Sequence, residues 1–198
     1  IPRRKGVSIR TGIFGGSFNP VHNGHIALAK KLLELAELDE VWFMVSPQNP
    51  LKHEDELLDD GLRLQMVQLA LTGEPRLKAC DYEFGLPRPS YTWNTLQAME
   101  RDYPAHSFTL LIGGDNWEHF GRWYRHKDIV RRYPIVVYPR SGSPLDPSTL
   151  PQGVRLVTTQ LIDLSSTGIR RMIADGQPIT EKVPAAVADY IARRHLYE

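Results

Sequence analysis

Ser8–Leu38 reads SIRTGIFGGSFNPVHNGHIALAKKLLELAEL. Ser8 to Phe14 has the β-branched and aromatic content of a strand, and Ile26 to Leu38 carries Ala, Leu, Lys and Glu at helical spacing. Between them, Gly15 to His25 combines a glycine turn, a helix start and two imidazoles. A glycine-rich strand-to-helix junction is an anion site, because the first N–H groups of a helix lack internal partners and the dipole adds partial positive charge there. The junction lacks Gly-x-Gly-x-x-Gly, and no Gly-Lys-Ser/Thr follows, so neither the dinucleotide fingerprint nor the Walker loop fits. What it has is His22-x-x-His25. Three residues apart on an opening helical turn, both rings project to one side, where each can donate a hydrogen bond to a phosphoryl group. Gly24 leaves room for close approach to the backbone. The competing readings are a pair of helix-capping histidines or half of a metal site. Against the metal site, Asn23 and Gly24 stand where a zinc-binding helix carries a glutamate, and no third ligand is evident.

Outward from this stretch, strand-like and helix-like segments alternate, which predicts an α/β fold with a largely parallel sheet. Asp39 to Ser46 contains the apolar run Val41–Val45 of a strand covered on both faces. Glu56 to Leu71 predicts a helix, Leu77 to Cys80 is strand-like, and Ser90 to Asp102 predicts a second helix ended by Pro104. Phe108 to Ile112, Pro134 to Tyr138 and Val154 to Thr158 predict strands, and Thr167 to Ala174 and Ala185 to His195 predict the last helices. Arg140 to Gly153, rich in Pro, Ser and Gly, reads as a mobile surface loop.

A chain of 198 residues with 41% hydrophobic content is long enough for one well-buried core, and a single domain over 1–198 is expected. Lys+Arg of 24 against Asp+Glu of 23 gives a net charge of +1, so nothing draws the whole chain to nucleic acid or to an anionic membrane. Any anion site is local. The single Cys80 excludes an internal disulfide framework, suits a reducing cytoplasm, and reads as a buried structural thiol. No apolar stretch approaches the ~20 residues that span a bilayer. The start Ile-Pro-Arg-Arg-Lys lacks a signal-peptide core, so a cytoplasmic location is expected.

In open α/β sheets, ligands bind beyond the carboxyl ends of the strands, where strand order reverses. That rule picks out Gly15 to His25, Ser46 to His53, Gly113 to Asp115, and Asp163 to Arg170. In the last of these, Ser165, Ser166 and Thr167 place three hydroxyls at a helix start, with the Arg170 guanidinium one turn inward. An ordinary helix cap uses one hydroxyl. Three of them plus a guanidinium make a candidate second phosphate cradle; taken alone the ordinary cap is the better reading, and taken with His22-x-Gly-His25 the cradle is.

Together these signatures resemble the nucleotidylyltransferase superfamily that carries a His-x-Gly-His motif and a C-terminal Ser-Ser/Thr-x-x-Arg motif. Within it, the chain is similar to the bacterial nicotinate mononucleotide adenylyltransferases. Pro89–Leu96 (PSYTWNTL), Ile112–Asp115 (IGGD) and Phe120–Tyr124 (FGRWY) carry that likeness in the family's order. The resemblance implies a Rossmann-like, doubly wound sheet with helices on both faces. It also implies transfer of AMP from ATP to nicotinate mononucleotide, giving deamido-NAD and pyrophosphate. By it, Gly15, Gly16, Ser17 and Phe18 approach ATP, His22 and His25 contact its phosphates, and Gly113 and Asp115 serve the ATP side, Asp115 holding ribose hydroxyls. Ser165, Ser166, Thr167 and Arg170 grip the departing phosphates, and His22, His25 and Arg170 form the catalytic set. Trp123 stacks on the pyridine ring, while the Thr92 hydroxyl and the Tyr124 backbone N–H bond the nicotinate carboxylate. Lys52 is the phosphate contact in the loop after the second strand, and His53 and Asn19, where many relatives carry Asp, are left without an assigned role. Mg²⁺ is implied, held mainly through ATP phosphates.

Other conspicuous residues have plainer readings. Trp42 and Trp93 read as core, and Trp117, close to Asp115, as a candidate for the ligand pocket. Glu54-Asp55-Glu56 with Asp59-Asp60 reads as a solvated helix start. Arg131-Arg132 and Arg193-Arg194-His195 read as exposed helix-end charges. The sequence leaves the oligomeric state open.

Overall fold

The computed structural model describes residues 8–48, 57–140, 145–159 and 164–198. Six strands form one sheet: β1 Ile9–Gly16, β2 Glu40–Val45, β3 Leu77–Cys80, β4 His106–Gly113, β5 Ile135–Tyr138 and β6 Val154–Leu156. Every pairing is parallel, and the order is β3-β2-β1-β4-β5-β6. This is the doubly wound Rossmann-like arrangement, with its switch point between β1 and β4. The helices are α1 Asn23–Leu35, α2 Asp60–Ala70, α3 Thr92–Asp102, α4 Gly114–Glu118, α5 His126–Arg132, α6 Ser166–Ala174 and α7 Ala185–Arg193.

Alternation along the central strands divides the core between the two faces of the sheet. Phe14, Val41, Phe43 and Val45 pack with Leu32 of α1, Met66 and Val67 of α2, Ile169 of α6 and Ile191 of α7. Ile13, Trp42 and Met44 pack on the other side with Leu96 and Met99 of α3 and Ile129 of α5. All six residues of β2 are buried, as its apolar run predicts. Glu40 is tolerated there because its carboxylate accepts the Trp42 indole N–H at 2.8 Å and pairs with Lys78 at 2.9 Å. Cys80 is half-buried, and burial pushes its thiol up to about 11, as befits an inert structural cysteine. Among the described residues no helix is long and apolar enough to cross a membrane.

Several boundaries differ from the sequence reading. α2 begins at Asp60 rather than Glu56, because the Asp59 carboxylate caps the Gly61 N–H at 3.0 Å. α3 starts at Thr92, with Tyr91 still extended. α7 stops at Arg193, and His195 turns into the left-handed region at φ 52°. Two short helices, α4 and α5, are additional to the predicted elements.

Candidate active site

Gly15 and Gly16 lie at the carboxyl end of β1 and Gly113 at that of β4, side by side at the switch point. Two cavities open there, of about 640 and 220 Å³. They share Gly15, Gly16, Asn116 and Tyr138 as a common wall. The glycines belong to the strand and neither has a positive φ; the left-handed residue of the loop is Phe18, at φ 49°. Such a conformation costs about 1–2 kcal/mol. It persists because the buried Phe18 ring stacks on Phe43 at 5.3 Å and meets the edge of His25 at 5.0 Å. A glycine matters at position 15 for a different reason: a Cβ there would point into the open space of the cleft.

The larger cavity collects most of the predicted phosphate residues. Gly15, Gly16, Ser17, Phe18, His22, His25, Asp115, Ser165, Ser166, Thr167 and Arg170 all line it. His22 is the N-cap of α1. Its Nδ1 accepts the Gly24 N–H at 3.1 Å, while the His25 Nδ1 accepts the His22 N–H at 3.1 Å. This is a capping box built from imidazoles, and the rings stack at 3.7 Å between centroids. The capping and phosphate-binding readings are therefore compatible. A backbone N–H can only donate, so each Nδ1 is unprotonated and each neutral ring carries its proton on Nε2. Burial followed by the Arg140 charge brings His22 down to about 4. Burial, then His22, then Arg140, hold His25 well below the ordinary histidine range. At neutral pH the protein thus presents two neutral Nε2–H donors backed by cationic guanidinium groups.

The start of α6 is sewn to the loop after β1. Ser165 Oγ accepts the Gly168 N–H at 3.0 Å as N-cap. The Ser166 hydroxyl donates to the Pro20 carbonyl at 2.8 Å, and Arg170 Nη1 donates to the Asn19 carbonyl at 2.8 Å and Nη2 to Thr167 Oγ1 at 3.3 Å. Asn19 is buried, and its side-chain oxygen accepts the Leu58 N–H at 3.3 Å and the Tyr197 hydroxyl at 2.6 Å. It braces the loop. On the opposite side, Asp115 Oδ1 lies 3.6 Å from Arg140 Nε. Gly113 leaves room for this pair, because a Cβ there would lie 2.7 Å from the Asp115 carboxylate and 3.0 Å from Arg140 Cγ and would make them shift.

The smaller cavity has apolar walls from Ile13, Met44, Leu96 and Ile112, with Trp123, Thr92, Thr95 and Glu83 among its remaining lining. Thr92 opens α3, whose N-cap Tyr91 makes no side-chain cap, so the first turn receives no acceptor from its cap residue. The Thr95 hydroxyl donates to Glu83 Oε2 at 2.7 Å, and burial raises the Glu83 pKa above its usual range. Gly113 lines this cavity rather than the larger one. Tyr124 adjoins Trp123 but keeps an exposed side chain, tilted against Tyr91 at 5.2 Å, and lines neither. Trp117 stacks on Phe120 at 4.8 Å, packs against the core and lines neither cavity. Trp42 is buried and Trp93 packs against the same cluster, as expected of core residues. Lys52, His53 and Asp163 lie outside the described residues.

Sequence reasoning missed Arg140, Tyr138, Asn116 and Glu83. Arg140, assigned to a surface loop, lines the larger cavity just beyond the carboxyl end of β5. The strand-end rule applied to β5 would have found it. Asp60, read as solvated, is instead tied to Arg63 at 2.5 Å and Arg88 at 3.0 Å.

Comparison with known proteins agrees with this architecture. The cytidylyltransferase-like family model matches residues 13–172. A protein from Bacteroides thetaiotaomicron, named a probable nicotinate-nucleotide adenylyltransferase, is 49% identical over 183 residues, covering 92% of this chain and 91% of its own. One of the same name from Bacteroides fragilis is 51% identical, covering 86% and 85%. The chain belongs to the nicotinate-nucleotide adenylyltransferase family. Members of that family are nucleotidyltransferases, and this enzyme shares their fold as well. The Plasmodium falciparum nicotinic acid mononucleotide adenylyltransferase, solved in complex with NaAD, superposes with a TM-score of 0.79 at 19% identity, over 95% of this chain and 97% of that one.

Proposed function

We propose that this enzyme transfers AMP from ATP to nicotinate mononucleotide, yielding deamido-NAD and pyrophosphate. The observation that carries the reading is the pair of adjoining cavities. One is walled by phosphate-type donors and the other by an indole and an open helix N-terminus, and they meet at Gly15, Gly16, Asn116 and Tyr138. The larger receives ATP, with Asp115 toward the ribose and His22, His25, Arg170, Ser165 and Thr167 toward the phosphates. The smaller receives the nicotinate ring, stacked on Trp123, with Thr92 and the first turn of α3 toward its carboxylate.

In this mechanism an oxygen of the mononucleotide phosphate attacks the α-phosphorus of ATP. A new phosphorus–oxygen bond forms as the bond between the α-phosphorus and the oxygen bridging to the β-phosphorus breaks, and pyrophosphate leaves with that electron pair. No covalent enzyme intermediate is needed. The protein's task is alignment and charge neutralisation. The Nε2–H groups of His22 and His25 donate to oxygens around the α-phosphorus as negative charge redistributes. Arg170, Ser165 and Thr167 hold the leaving pyrophosphate; Ser166, whose hydroxyl is engaged by Pro20, contributes as wall. Asp115 is the one carboxylate among the described residues of this cavity, so its lining would suit a magnesium ion held mainly by the substrate. Such an ion would supply neutralisation of phosphate charge.

The testing experiment is pyrophosphate release from MgATP with nicotinate mononucleotide, nicotinamide mononucleotide or phosphopantetheine as acceptor. Preference for the nicotinate acceptor by at least about tenfold in kcat/KM, lost on Thr92→Ala, is expected. Preference for another acceptor would overturn the pocket assignment.

A further inference from the structure

We infer that Arg63 of α2 is a positioning residue that sets the separation between the two substrate loops, an inference that rests on the proposed two-cavity reaction. Its side chain is completely inaccessible to solvent, yet it touches neither cavity. One guanidinium instead gathers three segments of chain. Nη1 donates to the Ser17 carbonyl at 2.8 Å and the Ser46 carbonyl at 2.7 Å, and Nε donates to the Leu58 carbonyl at 2.8 Å. Nη2 donates to Asp60 Oδ1 at 2.5 Å. Ser17 lines the larger cavity and Ser46 the smaller. Asp60 carries the connection further, accepting the Gln48 N–H at 3.0 Å and pairing with Arg88 at 3.0 Å. The loop that faces ATP and the loop that faces the acceptor are thus tied to the same planar group.

Burying a guanidinium is expensive, and for stability alone a well-packed apolar side chain serves as well or better. A rigid fork with five donors does what no apolar side chain can: it fixes two carbonyls of different loops at one distance. A lysine can bring its one nitrogen to the two carbonyls, as Nη1 does, but lacks the fixed Nε and Nη2 donors that anchor that nitrogen to the Leu58 carbonyl and Asp60. In a reaction whose catalysis is largely alignment, misplacing the reacting groups by about 1 Å costs on the order of a hundredfold in rate.

The test compares Arg63→Lys and Asp60→Asn with the unaltered enzyme, each assayed below its own melting temperature with whichever acceptor mononucleotide the unaltered enzyme uses. That choice separates this inference from the acceptor assignment, which the unaltered enzyme alone decides. Arg63→Lys is expected to lower kcat about a hundredfold while KM for ATP and for the acceptor each move by less than about threefold. Asp60→Asn, which keeps an acceptor for Arg63 but weakens its anchor, is expected to lower kcat about tenfold with the same unchanged KM values. Variants that melt earlier but turn over normally below their melting temperatures would show a purely structural role and overturn the inference. Should Arg63→Lys fail to fold, the Asp60→Asn kcat decides on the same criterion.

Discussion

In His22 the two ring nitrogens serve different ends: Nδ1 closes the first turn of α1, leaving Nε2–H as the donor of a ring that lines the larger cavity. Substitutions separate them. His22→Ala loses cap and donor, and is expected to destabilise the fold by about 1 kcal/mol and to lower turnover about a hundredfold. His22→Asn keeps a good capping acceptor, so stability should return to within a few tenths of a kcal/mol while turnover stays low. Chemical denaturation and pyrophosphate release measured on both variants check this; an Asn variant with restored turnover would remove the Nε2–H from the mechanism. His25→Ala should likewise lose turnover far more than ATP affinity. A pH effect follows from the same rings. With a folded value of about 4 for His22 against an ordinary 6.5, the unfolded chain takes up a proton first as pH falls. The contribution is therefore present above pH 6.5 and lost between 6.5 and 4, about 3 kcal/mol for this residue, with His25 in the same direction. Glu83, raised by burial, runs the other way, losing its contribution as pH rises above its unfolded value. Urea midpoints across the acid range, with His22→Asn as reference, isolate the His22 part: the variant's acid-side slope should be shallower.

At the level of elements, three helix starts are spent differently. α1 and α6 are capped by side chains that also line the larger cavity, whereas α3 carries no side-chain cap beside the smaller one. Ser165→Ala should cost about 1 kcal/mol of stability through the lost Gly168 cap, measurable by denaturation. Gly113→Ala should instead act on binding, because its Cβ displaces the Asp115–Arg140 pair; the expected result is a higher KM for ATP with a smaller change in kcat. The elements most legible in the sequence were those with the strongest apolar signal, continuous or periodic. β2, buried throughout, and α1, with one apolar stripe, could be read directly from composition. α4 and α5 were missed because five and seven residues are too short for a periodic signal, and their apolar residues belong to a tertiary cluster around Phe120 and Ile129. The early start assigned to α2 overlooked the Asp59 cap, which a sequence also offers at other aspartates.

Over the whole molecule, strand order is what makes a site out of separate motifs. The loop after β1 and the start of α6 lie about 150 positions apart, yet Arg170 and Ser166 bond directly to the carbonyls of Asn19 and Pro20. The sequence named both motifs because each carries its own local chemistry. Arg63, Asn19 and Tyr138 carried no such signal, since their roles exist only once distant loops are brought together. A net charge of +1 supplies no long-range field for anionic substrates, so attraction rests on guanidinium groups at the cleft. The central claim is that phosphate chemistry in one cavity is coupled to a nucleotide acceptor in the other. The measurement that tests it most directly is the mass and yield of the product formed from MgATP and nicotinate mononucleotide. Deamido-NAD formed in equal amount to pyrophosphate is the predicted result. Pyrophosphate accompanied by free AMP, or no dinucleotide at all, would contradict it.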